Sequence, residues 1–296
     1  MKHIDDNDIQ FLGGENYKPF LPRHRKQWAW IAAAVIAVVA LIVGGIYMGK
    51  KIAYRMRWAV SFEYPVSRSS ADMIKELTKT SVDTTASGVT MTVDSMNNVP
   101  FKLYQLHNLK ADFAILAPAD SDSTLCLAVH AWDYYWDDNK QYRHLGDYIY
   151  KGKDIANGSG RAGFVAVVGD RWLMGISPED SVKDYVAQHG GSMFRQFALV
   201  SAGQICVKQF VLKGKVTRAA LARMKVKGTN HFYFVETIHK ESLYDFAEAL
   251  ADYGFIDAIY LTGGTNDDTF YRDLDGKTHG TPNWKEKPWN LLVFRK

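Results

Sequence analysis

Cysteine is almost missing from this sequence: 296 residues carry two, Cys126 and Cys206. That excludes a disulfide-stapled scaffold and any Cys-x-x-Cys metal or redox motif, leaving one bridge or two separate buried thiols. Proline and glycine are sparse as well, at 8 and 23, which excludes collagen-like and low-complexity chains. An excess of one charge is lacking over most of the length. Residues 1–57 hold nine Lys and Arg (Lys2, Lys18, Arg23, Arg25, Lys26, Lys50, Lys51, Arg55, Arg57) against Asp5, Asp6, Asp8 and Glu15, so with a net charge of +4 the remainder sums to −1. A nearly neutral body offers no phosphate-tracking surface, and nucleic acid is not an expected partner. P-loop, GxGxxG, HExxH and GxSxG motifs are all absent, and no cofactor or metal is expected.

Present instead is one long apolar run, Trp28–Met48, which is free of charge and bordered by Trp28, Trp30 and Tyr47. About 20 apolar residues at 1.5 Å rise cross a ~30 Å hydrocarbon layer, with the aromatics at its interfaces. A cleavable signal peptide competes with this reading. Against it stand the long preceding segment, the length of the run, and Lys50-Lys51 where a small-residue cleavage site would lie. The flanking charges balance, so orientation rests on the usual role of an N-terminal anchor: a single-pass membrane protein with its C-terminal domain outside the cytoplasm. The chain divides into a basic tail 1–27, a transmembrane helix 28–48 in contact with lipid, a stalk 49–70, and a folded domain 71–296.

Within that domain, Ser177-Pro178-Glu179-Asp180 supplies an N-cap, a proline and first-turn acids for a helix that runs to Gly190-Gly191. Phe164–Val168 and Arg171–Ile176 flank Gly169-Asp170 as a hairpin. His231–Ile238 reads as a strand, Lys240–Tyr253 as a helix ended by Gly254, and Ala258–Leu261 as a second strand. Strand, helix and strand make a βαβ unit, which calls for a parallel pair. The expected fold is α+β, a mixed β-sheet domain with that unit and flanking helices, preceded by one transmembrane helix. The loop after Leu261 begins Thr262-Gly263-Gly264, where adjacent glycines allow close approach to a ligand or a simple tight turn with an acidic tip.

Several segments, taken in order, resemble the phosphodiester glycosidase domain family. They are Arg195–Val200 with Gly203, Thr217-Arg218-Ala219-Ala220, the Phe234-Val235-Glu236 strand, the Leu243–Gly254 helix, Asp257–Gly264, and Asn290–Phe294. The resemblance covers roughly Ala111–Lys296. It implies hydrolysis of sugar-1-phosphodiesters in envelope or extracellular glycoconjugates, with a phosphosugar or glycan as the bound molecule. Two signature loops differ: Thr262 stands where the family usually has Asp before its glycines, and Val129–Tyr135 lacks an Asn-Gly pair. These changes keep open a catalytically silent phosphosugar-binding or scaffolding module on the same fold.

The chemistry requires a cation for the phosphate and carboxyl or imidazole groups for proton transfer. Arg218 fits the first role, with Thr262, Gly263 and Gly264 beside the substrate; a surface position on the basic stretch Lys213–Lys227 is its alternative. His130 and Asp133 come first for proton transfer, and Glu236 follows because it interrupts an apolar strand. The aromatic cluster Trp132–Trp136 could stack on sugars or fill core, and Asn266, Asp267, Asp268, Asp273 and Asp275 read as a solvated turn rather than a Ca²⁺ loop.

Deleting residues 1–52 removes the only long apolar run, so the truncated protein is expected in the soluble fraction. Ultracentrifugation after a high-salt wash checks this; a pelleted product would mean a second membrane-binding surface.

Overall fold

The structure, a computed structural model, describes residues 23–65, 68–78, 86–116, 118, 122–139, 141–158, 160–209, 213–262, 269–281 and 290–296. Contacts divide the chain into two compact units, Met1–Arg55 and Met56–Lys296. Helix α1 (Arg23–Trp58) lies in the first up to Arg55, and its apolar side chains are exposed on every side from Trp28 to Met48. A helix apolar all round has no solvated face, and this one is long and apolar enough to cross a membrane as an anchor or a signal.

The second unit is α+β, with its strands gathered into sheets whose hydrogen-bonded neighbours, among the described residues, all run antiparallel. A central seven-stranded sheet has the order Gln204–Ile205, Ala198–Ser201, Asp257–Leu261, Ala219–Val226, Thr229–Thr237, Val99–His107 and Gly88–Met96. A five-stranded sheet orders Arg171–Ile176, Gly163–Val168, Ser192–Gln196, Tyr148–Tyr150 and Lys153–Ala156. Another joins Thr278–His279, Tyr271–Arg272, Leu125–His130, Leu291–Arg295 and Lys110–Ala114.

Strand alternation explains how these sheets share one interior. Leu221, Ile259 and Leu261 turn into the common core with Val165, Val167, Phe194, Leu127, Val129, Leu292 and Phe294. Their chain neighbours Ala220, Ala222 and Ala258 face the other way, under Phe246, Ala247 and Leu250 of helix α4 (Leu243–Tyr253). The period of two thus gives each central strand two buried faces. In the Arg171–Ile176 sheet, Phe164 and Ala166 point outward beneath helices α2 (Ser70–Thr78) and α3 (Ser181–Gln188), meeting Met73, Leu77, Val182 and Val186.

The expected hairpin forms, with Val168 opposite Arg171 and Gly169 at φ +59°. Helix α4 starts at Leu243 rather than Lys240, because Ser242 caps it by accepting from the Asp245 N–H at 3.0 Å. Its end at Gly254 (φ +105°) is as read. Helix α3 starts at Ser181, so Ser177 is not its N-cap; Asp180 holds that place without a side-chain bond. The strand–helix–strand unit also differs in detail. Thr229–Thr237 and Asp257–Leu261 do run parallel, but Ala219–Val226 lies between them and pairs antiparallel with both. The inserted strand precedes the unit in sequence, so local reading could not see it.

Residues 49–70, expected as a stalk, hold regular structure. Helix α1 continues to Trp58, Val60–Phe62 pairs with Val207–Gln209, and α2 begins at Ser70. The compact unit therefore starts at Met56, ahead of the boundary at 71 that composition suggests.

Of the two arrangements open to the cysteines, the structure has separate buried thiols. Burial, aided by the charge of Asp257, pushes the Cys206 thiol up to about 12, and burial also raises that of Cys126.

Across the central sheet, Arg223 and Asp257 face each other in register with about 6% and 1% of their surfaces exposed. Arg223 donates from Nε (3.0 Å) and Nη2 to Asp257 Oδ2 and from Nη1 to Asn230 Oδ1 (3.0 Å). Removing one partner leaves a buried charge uncompensated. Asp257→Ala is expected to cost about 3–5 kcal/mol in chemical denaturation of the detergent-solubilised protein; a loss under about 1 kcal/mol would show the pair to be dispensable.

Candidate functional site

Inserting Ala219–Val226 antiparallel between two parallel strands has a geometric consequence: its beginning and their ends lie along one edge. Ala219 sits opposite Glu236 on one side and Leu261 on the other, so Arg218, Thr237 and Thr262 share that edge. Here the central sheet meets the neighbouring one. The Thr262 N–H donates to the Ala131 carbonyl at 3.0 Å, just beyond the strand Leu125–His130. Five of the sequence candidates reach this junction or lie next to it along a strand: His130, Asp133, Arg218, Glu236 and Thr262. Gly263 and Gly264 themselves fall outside the described residues, as do Asn266–Asp268.

Asp133 is the hub. Its Oδ1 accepts from the Thr262 hydroxyl at 2.6 Å, and its Oδ2 faces Arg161 Nη2 at 3.4 Å. Arg161 also donates from Nε to Gln196 Oε1 at 3.0 Å, and its guanidinium lies 4.5 Å over the Phe197 ring. This cation was missed in the sequence because Gly160-Arg161-Ala162 belongs to no motif. The only local signal was the glycine at Gly160, whose φ of +76° sharpens the bend into the next strand.

Trp132, one of the aromatics that could have served a sugar, is core: it is buried and stacks on Tyr148 at 4.6 Å. Two histidines flank it in opposite tautomers. Asn290 Nδ2 donates to the Trp132 carbonyl at 2.7 Å, which fixes the amide so that Oδ1 faces His130 Nδ1 at 2.7 Å. An amide oxygen only accepts, so Nδ1 carries the proton and the neutral His130 ring has its lone pair on Nε2. The Trp132 indole N–H donates to His144 Nδ1 at 2.8 Å. That nitrogen must be bare, and the proton of neutral His144 sits on Nε2.

Arg218 is buried and largely committed to backbone. It donates from Nε to the Glu241 carbonyl (3.0 Å) and from Nη2 to the Gly214 carbonyl (3.1 Å), while its own N–H donates to Thr237 Oγ1 (2.8 Å). It is therefore not the exposed cation of a basic stretch. Its charge still reaches the edge through Tyr260, whose hydroxyl it meets. Burial raises the Tyr260 phenol, Arg218 counters the rise, and the Asp133 carboxylate adds to it. Tyr260 thus lies within the fields of both groups. Glu236 is buried and accepts from Thr269 Oγ1 at 2.8 Å.

Beyond Arg161 opens a cleft of ≈ 420 Å³ whose walls include Tyr64, Asp147, Lys183 and Arg195. Asp147 lies between two cations there, Lys183 Nζ at 3.3 Å and Arg195 Nε at 3.2 Å, and Asp154 and Asp180 supply their second carboxylates. No group of three metal-ligating side chains gathers among the described residues. Asp273 accepts from the Lys277 N–H of its own loop and from His279.

Burial lowers His144 from 6.5 to about 4. Between those values the unfolded chain binds a proton that the folded one refuses, so stability falls as pH drops from 6.5 towards 4 and levels off below. One pKa unit is about 1.36 kcal/mol, which bounds the loss at about 3 kcal/mol before partial exposure reduces it. His144→Gln is expected to flatten the difference in thermal midpoint between pH 7 and pH 4.5; an unchanged difference would show that another group dominates acid sensitivity.

No family model matches the chain, and no curated protein does. Among solved structures, it is similar to the zebrafish N-acetylglucosamine-1-phosphodiester alpha-N-acetylglucosaminidase catalytic domain auto-inhibited by its pro-peptide. That likeness has 15% sequence identity and a TM-score of 0.45, and covers 80% of this chain and 88% of that one. A likeness of this degree carries no activity over.

Proposed function

We propose that the Met56–Lys296 unit hydrolyses glycosidic phosphodiester bonds, taking sugar-1-phosphodiesters of envelope or extracellular glycoconjugates as substrates, with α1 as its membrane anchor and the unit outside the cytoplasm. The observation that carries the reading is Asp133 held between the Thr262 hydroxyl and the Arg161 guanidinium, next to the two histidines. In the reaction, water attacks the anomeric carbon as the C1–O bond breaks, and the electron pair leaves with the phosphate monoester. His130, protonated on Nδ1 towards Asn290, takes the water proton on Nε2. The Asp133 carboxylate stabilises charge developing at the anomeric carbon. Arg161 holds the departing phosphate, with Arg218 adding positive potential from beneath the edge.

Two observations favour the silent binding module. Two of the guanidinium nitrogens of Arg218 are bound to carbonyls, and Thr262 stands where the family pattern has an acid. The two readings separate on turnover.

Free sugar released from methyl diesters of N-acetylglucosamine-1-phosphate and glucose-1-phosphate is the assay. Asp133→Asn, which preserves shape and leaves an acceptor for Thr262, is expected to lower kcat by ~10²–10³ with little change in thermal midpoint. Arg218→Ala is expected to lower kcat and also stability, because two carbonyls lose their donors at about 1–3 kcal/mol each. Absence of turnover together with phosphosugar binding would select the silent module. Turnover undiminished in Asp133→Asn would remove Asp133 from the chemistry.

A further inference from the structure

The residues just after the apolar run are built into the back of the candidate site by two separate routes. In the first, the Gly214 N–H donates to the Arg57 carbonyl at 2.9 Å, and the Trp58 ring lies so close that a Cβ on Gly214 would stand 2.5 Å from it. The Gly214 carbonyl then receives Arg218 Nη2 at 3.1 Å. In the second, Phe62, in the strand Val60–Phe62, stacks on Phe197 at 4.3 Å with planes 1° apart. Phe197 lies in turn beneath Arg161, the cation that meets Asp133. Both site arginines therefore rest on the segment from Arg57 to Phe62.

That segment is tied by covalent chain to the span. Nine residues separate Met48 from Trp58, and the ten Cα–Cα steps between them span no more than about 36 Å. Covalent connection alone therefore keeps Trp58 within that distance of the end of the apolar run. The linking stretch also carries Lys50, Lys51, Arg55 and Arg57, all exposed, which draw anionic headgroups towards the same place. A site for soluble glycoconjugates gains nothing from such a short tether. One whose substrate is confined to the surface gains encounter at high local concentration.

We infer that the substrate is a sugar-1-phosphodiester whose other ester is a lipid of the bilayer that holds α1. This rests on the hydrolase reading above. The chemistry is unchanged: the C1–O bond is cleaved by water, the free sugar leaves, and the phosphate monoester stays on the lipid.

The test uses the full-length protein reconstituted in phosphatidylcholine vesicles. It is given one panel of hexose and N-acetylhexosamine 1-phosphates, esterified either to dioleoylglycerol within the vesicles or to methanol in solution, at matched bulk concentration. Release of free sugar from the lipid-borne series at a kcat/KM about 10²-fold above the methyl series is the expected result. Equal or faster turnover of the methyl diesters would overturn the inference and leave the hydrolase reading standing. Turnover of neither series would overturn both.

Discussion

The candidate site exists because one strand, Ala219–Val226, is inserted antiparallel between two strands that run parallel to each other. Had Thr229–Thr237 and Asp257–Leu261 paired directly, their ends would still share an edge, but no strand would begin there. The insertion brings Arg218 up to Thr237 and, through Tyr260, within the field of Asp133. Apolar alternation keeps this arrangement fixed: Leu221 and Ile259 on one face and Ala220 and Ala258 on the other leave no register in which a one-residue slip would not bury the wrong face.

Asn290 does for the adjoining sheet what the inserted strand does for the central one. Its carbonyl and its amide each bind the loop that follows His130, so backbone and side-chain geometry of that loop are set by the same residue. A single amide therefore decides which ring nitrogen of His130 is basic. The opposite tautomers of His130 and His144 follow from what Asn290 and Trp132 are able to donate or accept.

The sequence made legible whatever was local. The Gly169-Asp170 hairpin, the Gly254 end of α4 and the α+β class all follow from periodicity and turn chemistry within short windows. Partners distant in the chain stayed hidden. Val60–Phe62 pairs with Val207–Gln209, across a separation that composition cannot bridge, and so a packed segment read as a stalk. Arg161 carried no motif, and its meaning comes only from lying beside Asp133. Glu236 stands out in the sequence because it interrupts an apolar strand, and in the fold it is buried and accepts from Thr269.

The two cysteines have a practical consequence for where and how this protein can be made. Both are buried thiols without a cross-link, and both are held well away from the thiolate form. The body thus owes none of its stability to oxidation. Reductant in the buffer, a reducing cytosol or an oxidising export route all leave these two thiols in the same contacts, so redox conditions do not restrict the choice of host or compartment.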